Sequence, residues 1–179
     1  MELTSRLATH DDVPALARII DAAIGELQKG FLDDAQIESS RAIMGLDRQL
    51  IDDGTYFVVE LDTTIVGCGG WSRRATLYGG DHSAGRDTSL LDPATQPAKV
   101  RAMYTDPAYT RRGVGRLILS LCEKAAAEEE GLSSLDLMST LAGEPLYRAA
   151  RFEPVERAED PAGGVPVPLV KMRKPVGSP

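Results

Sequence analysis

Cysteine is nearly missing from this chain: Cys68 and Cys122 are the only two in 179 residues. Two thiols argue against a disulfide scaffold and suit a reducing compartment. Long apolar runs are missing too. No stretch approaches the ~20 residues a membrane helix needs. The opening MELTSRLATHDDVP has no apolar core of the kind a signal peptide carries. These absences predict a cytoplasmic protein with no membrane partner. Histidine is scarce, and His10 and His82 lie far apart without metal-ligand spacing, so no metal site is expected. Positive charge is the minority sign. Twenty Lys and Arg face 27 Asp and Glu, a net charge of −7, which argues against a nucleic-acid partner, since that needs a broad basic footprint.

What is present reads as one domain over residues 1–179. LTSRLAT reads as a short edge strand. After it, Asp11 or Asp12 can cap a helix that has Pro14 in its first turn and apolar residues at Val13, Leu16, Ile19, Ile20, Ala23 and Leu27. DDAQIESSRAIMGLDRQLI reads as a more polar helix interrupted at Gly45. GTYFVVEL and TTIVGCGGWS are strand-like and joined closely enough for a hairpin. Residues 73–96 have no period and read as a long loop. AKVRAMYT is a further strand. Beyond it Val114, Leu117, Ile118, Leu121, Cys122 and Ala125 form one apolar stripe of a helix. LSSLDLMS, a short helix in AGEPLYRAARF, and the strands FEPVERA and VPVPLVKM complete the series, with RKPVGSP as a frayed tail. The order predicts an α/β (α+β) fold, a mixed sheet with helices packed on it.

The chemistry concentrates in DPAYTRRGVGRLILSLCEK, which begins at Asp106. A strand, a turn and a helix start in succession present free N–H groups and the positive end of a helix dipole. Gly113 and Gly115 clear side chains from the turn, and Arg111, Arg112 and Arg116 add charge that suits phosphate. A pyrophosphate site follows. It is not a Walker loop, because Arg116-Leu117 stands where Lys-Ser or Lys-Thr is needed, nor a dinucleotide fingerprint, because Ile118 replaces the third glycine. A solvated turn with surface arginines is the plainer alternative.

VRAMYTDPAYTRRGVGRLIL resembles the acyl-CoA-binding motif of the GNAT superfamily of N-acyltransferases, and GEPLYRAARFEPV is similar to that family's later Tyr-containing segment. The element order extends the resemblance over nearly the whole chain. It implies a mostly antiparallel sheet of six to seven strands with about four helices, splayed at the cofactor site. It implies acetyl-CoA as co-substrate, a small-molecule or peptide amine as acceptor, and a possible homodimer. Arg111, Arg112, Gly113, Val114, Gly115 and Arg116 would wrap the pyrophosphate, and Met103, Tyr104 and Thr105 would pair their backbone with the pantetheine arm. Thr140 stands where the family often has an Asn that touches the cofactor. Tyr147 matches the Tyr that protonates the departing thiolate. Two positions depart from the pattern. Thr110 replaces the Gln or Arg that opens the first motif, and Arg151 replaces the Gly before Phe152, where a positive φ is usual.

The resemblance implies N-acetyltransfer by direct attack of an amine on the thioester. Tyr147 is the expected acid, and a free strand N–H near Tyr104 the expected oxyanion donor. Asp136 is a candidate base, with Glu60 and Glu144 weaker and a water chain as the alternative. Trp71 is placed either in a substrate pocket or in packing, and RDTSLLDPATQP either as an acceptor lid or as a mobile loop. The acidic balance favours a cationic acceptor by weak steering. Two other classes stay open: a non-catalytic acyl-CoA sensor on the same fold, and a nucleotide-binding regulatory domain.

Overall fold

Val13–Leu27 forms a helix because Leu16, Ile19, Ile20, Ala23 and Ile24 recur at helical spacing and bury one face. Pro14 sits in the first turn, where its missing N–H costs nothing. The computed structural model describes residues 2–176. Its elements are β1 (Leu3–Leu7), α1 (Val13–Leu27), α2 (Asp34–Ser40), α3 (Arg48–Asp52), β2 (Tyr56–Leu61), β3 (Thr64–Ser72), β4 (Ala98–Thr105), α4 (Val114–Ala127), β5 (Ser134–Thr140), α5 (Glu144–Ala149), β6 (Glu153–Asp160) and β7 (Val167–Pro175). The strands form one sheet in the order β1-β2-β3-β4-β5-β7-β6. Among the described residues no helix is long and apolar enough to cross a membrane.

The sheet has an apolar cluster on each face. Val59, Val100, Leu135 and Leu137 meet the buried stripe of α4, which includes Val114, Ile118, Leu119 and Cys122. Tyr56, Val58, Cys68 and Tyr104 meet α1. The polar helix expected after α1 is two short ones. α2 has a reciprocal cap in which the Asp33 carboxylate accepts from the Gln36 N–H at 2.8 Å and Gln36 accepts from the Asp33 N–H at 2.9 Å. Asp47 caps α3, accepting from the Gln49 N–H at 3.0 Å.

All neighbouring strands are antiparallel except β4 and β5, which run parallel and pair only at Ala98–Leu135 and Lys99–Asp136. The reason they part lies in β4. Its pairing with β3 slips between Cys68 and Gly70, and Ala102 takes φ +50. A bulge of this kind bends a strand and increases its twist. The Tyr56 hydroxyl fixes it by donating to the Ala102 carbonyl at 2.6 Å.

The long loop between β3 and β4 is ordered by its own bonds. Arg74 donates to both oxygens of Asp53 at 2.8 and 3.0 Å, and the Thr76 hydroxyl donates to the Asp87 carbonyl at 2.7 Å. The tail expected to fray does not do so throughout: β7 includes Arg173–Pro175, paired to β5. The Val176 N–H donates to the Ser133 carbonyl at 2.9 Å, and residues 177–179 lie outside the described residues.

Candidate active site

Past Lys99 the two parallel strands separate and a cleft of about 1020 Å³ opens between them. Residues of β4 and β5, the Thr110–Arg116 turn and α5 line it, joined by Gln28, Phe31 and Leu77–Gly79. Met103, Tyr104, Thr105, Thr140 and Tyr147 are all in this wall, with every residue of the expected cradle.

Strand alternation sorts the exposed edge of β4. The Asp106 N–H donates to the Val66 carbonyl at 2.9 Å, and Tyr104 lies opposite Cys68. In an antiparallel ladder bonded pairs recur every second residue. Tyr104 therefore spends its backbone on β3, and Met103 and Thr105 turn theirs toward the gap. Of the three residues expected to offer backbone there, two do so. The Tyr104 side chain goes to the other face, where its oxygen accepts from the Gly45 N–H at 3.0 Å.

The turn after β4 is tied by Asp106, whose carboxylate accepts from the Ala108 N–H at 2.9 Å. Gly113 then has φ +84, and a Cβ built on it would meet nothing within 4 Å. The space above it is open, and its backbone angle favours glycine. The first turn of α4 has N–H groups without carbonyl partners inside the helix. Arg111, Arg112 and Arg116 flank it, exposed and outside any ion pair among the described residues. Gly115 has a different use from the one expected. A Cβ there would come within 2.8 Å of Leu146 Cδ2, so this glycine lets α5 close on α4.

That contact sets Tyr147. The Thr140 hydroxyl oxygen accepts from the Gly143 N–H at 3.1 Å at the start of α5, and Phe152, buried, meets the Tyr147 ring edge-on at 6.1 Å. Between them Arg151 holds φ +73, so the chain keeps the left-handed turn without the glycine. Burial, with Tyr104 and Cys122 nearby, pushes the Tyr147 phenol well above the usual tyrosine range. It stays protonated at neutral pH.

The Acetyltransferase (GNAT) family matches residues 18–152, which contain the cradle, the split strands and Tyr147. The chain belongs to the GNAT family. No curated protein sequence matches it. Solved structures share its fold. A GCN5-related N-acetyltransferase (aminotransferase, class-II) from Rhodopseudomonas palustris is 18% identical, with a TM-score of 0.73 over 98% of this chain and 97% of that one. PaiA N-acetyltransferase from Thermoplasma acidophilum, in complex with coenzyme A, is 15% identical, with a TM-score of 0.65 over 98% and 99%. The ribosomal-protein-S18-alanine N-acetyltransferase from Escherichia coli is 15% identical, with a TM-score of 0.61 over 99% and 96%.

In this GNAT chain Asp136 does not stand in the cleft. It lies where β4 and β5 still pair, is 1% exposed, and takes Arg173 Nε at 2.6 Å and Nη2 at 3.0 Å. Lys99 and Lys171 approach the same carboxylate at 3.8 Å. A base role does not fit a carboxylate so enclosed. Glu60 is held by Arg6 and Glu144 by Arg148 and Arg157, and neither lines the cleft. Trp71 is core, with the Arg73 guanidinium 4.4 Å above its ring. The RDTSLLDPATQP segment does not line the cleft either. Leu90, Leu91 and Pro93 pack toward Trp71 around a separate 130 Å³ cavity. Cys68 and Cys122 are buried; desolvation pushes the Cys68 thiol up to about 12 and the Cys122 thiol up likewise.

Three polar wall residues were not expected. Arg101 is a buried charge inside β4, Gln28 ends the apolar face of α1, and Tyr78 donates its hydroxyl to Asp160 at 2.6 Å. A charge at an inward position of AKVRAMYT is the one signal that pointed to any of them.

Proposed function

We propose that this GNAT protein moves an acetyl group from acetyl-CoA to a primary amine by direct attack on the thioester. The observation that carries the reading is the meeting, in one cleft, of an anion cradle, an unpaired strand edge and the Tyr147 phenol. The residues fit the co-substrate. Open space over Gly113, free N–H groups of α4 and three unpaired arginines suit a pyrophosphate. The Met103 and Thr105 backbone suits the amides of the pantetheine arm.

The amine nitrogen forms a bond to the thioester carbon, and the carbon–sulfur bond breaks. A Met103 or Thr105 N–H steadies the carbonyl oxygen under attack. Tyr147 gives its proton to the leaving sulfur. The proton lost by nitrogen goes to water and, through it, restores the phenol, because no carboxylate or imidazole among the described residues lines the cleft. An alkylamine with a pKa of roughly 10.4 must reach the site deprotonated or shed its proton there. A sensor on the same fold would need the cradle but no acid, so Tyr147 speaks for an enzyme. Two buried free thiols suit the cytoplasm.

Calorimetric titration with acetyl-CoA, CoA and ATP tests the site. Both CoA forms should bind and ATP should not. Gly113→Glu should abolish CoA binding by placing bulk, charge and a strained backbone in the cradle. Unchanged affinity in that variant would remove the pyrophosphate assignment.

A further inference from the structure

Two side-chain polar atoms among the described residues are buried without a hydrogen-bond partner: Gln28 Oε1 and Arg101 Nε. Both residues line the cleft. Orphaned polar atoms are rare in folded proteins because burial strips them of water for no return. Two of them in one wall leave an acceptor and a donor there without a protein partner.

The orientation of Gln28 is fixed by its neighbours. Its Nε2 donates to the Ile24 carbonyl at 3.3 Å and to Ser40 Oγ at 2.9 Å. Ser40 in turn gives its own proton to the Ile37 carbonyl at 2.6 Å. Turning the amide over would set its oxygen against two acceptors. Oε1 therefore faces elsewhere and wants an N–H.

Arg101 is 3% exposed. Its Nη2 donates to Asp47 Oδ2 at 3.0 Å and to the Gly79 carbonyl at 2.7 Å. The same Asp47 oxygen takes Arg86 Nη1 at 2.6 Å, and the other oxygen caps α3. Two guanidiniums thus share one carboxylate, and one positive charge is left over in the wall. The charged residues lining the cleft are Arg101, Arg111, Arg112 and Arg116, with no Asp or Glu among the lining residues. Two carboxylates bond to lining residues from behind the wall, Asp47 to Arg101 and Asp160 to the Tyr78 hydroxyl. With the three cradle arginines given to the pyrophosphate, Arg101 is the cation left for the acceptor among the described residues, which opposes the weak preference for a cationic acceptor expected from net charge.

We infer that the acceptor is a small amine that also carries a carboxylate, its anion seated against the Arg101 guanidinium and one of its N–H groups on Gln28 Oε1. This rests on the acetyltransfer reading above and narrows it to amino-acid-like acceptors.

The test uses the full chain, acetyl-CoA and release of free thiol. The acceptors are the common amino acids, their carboxamides and the matching amines that lack the carboxyl group. Amino acids should exceed their carboxamides at least tenfold in kcat/KM. Gln28→Met should raise the acceptor KM at least tenfold with acetyl-CoA affinity unchanged. Arg101→Met should erase the preference for the carboxylate, with partial rescue in Arg101→Lys. Because the Arg101 variants remove a buried ion pair and can fail to fold, Gln28→Met and the wild-type acceptor series stand on their own. Equal or better turnover of the carboxamides, or an unchanged acceptor KM in Gln28→Met, would overturn the inference. Acetyl-CoA binding with no amino acid acetylated would also overturn it and leave the acetyltransfer reading intact. Failure to bind acetyl-CoA would overturn the acetyltransfer reading itself.

Discussion

Tyr147, like any tyrosine, is protonated at neutral pH, and burial, with Tyr104 and Cys122 adding to it, moves its titration further up. The acid form of a phenol is neutral, so burial raises its pKa and extends the range over which it can donate. Replacing it with Phe should lower kcat by about 10²-fold, the lower end for a positioned general acid, and leave acetyl-CoA affinity unchanged by calorimetry. The same sign predicts the pH profile. In the wild type kcat/KM should rise with pH as the acceptor amine loses its proton, with no fall below about pH 10, where an ordinary tyrosine titrates. At this scale the sequence was partly legible. Tyr147 and Gly113 could be picked out because each has a residue type that its chemistry demands. Asp136 could not be judged, since what disqualifies it is Arg173, 37 positions away along the chain and bonded only after β5 and β7 pair. Arg151 tells the converse: its side chain suggested a lost turn, yet the backbone takes φ +73 regardless, held by the elements on either side.

α4 and α5 act as a pair. Gly115 on one helix admits Leu146 on the other, and Tyr147 follows Leu146 by one residue. Gly115→Leu should therefore harm catalysis without touching the chemistry. Overpacking at such contacts costs about 1–3 kcal/mol, and the variant should melt earlier and lose kcat more than it loses acetyl-CoA affinity. An unaltered kcat would mean that α5 does not depend on this contact. α1 and α4 were readable from their stripes because burial of one face repeats every three to four residues. β2 and β3 were readable from their β-branched and aromatic content. The split between β4 and β5 was implied by family resemblance and by nothing in the residues, for its cause is a slipped register and a left-handed alanine. Nor could the order β5-β7-β6 be read, since a strand inserted between two earlier ones leaves no local mark. Gln28 stayed hidden because the meaning of its oxygen depends on Ser40, which belongs to another helix.

Over the whole molecule, carboxylates act as ties. Arg6 holds the Asp12 carboxyl below its usual range, Arg74 does so for Asp53, and Arg148 with Arg157 for Glu144. These link β1 to the start of α1, α3 to the long loop, and α5 to β6. A carboxylate depressed in the folded state adds stability that is complete above its unfolded value and fades as pH falls through the folded one. The melting temperature should thus be level from neutral pH to about 5 and drop below about pH 4, where free carboxyl groups titrate. A steady decline beginning at pH 7 would assign acid sensitivity to other groups. The two rungs between β4 and β5 also make the sheet a lever. Asp136, clasped by Arg173 from β7 and approached by Lys99 from β4, sits at its fulcrum. From Lys99 to Thr105 the arm, parted from β5 but paired to β3, is about 20 Å long at ~3.3 Å per residue. A rotation of about 3° at the fulcrum would displace the mouth by about 1 Å, enough to change whether a strand edge reaches a ligand. The carboxylate that is unsuited to move a proton ties β5 to β7, with Lys99 of β4 beside it, at the point where the jaws begin to part.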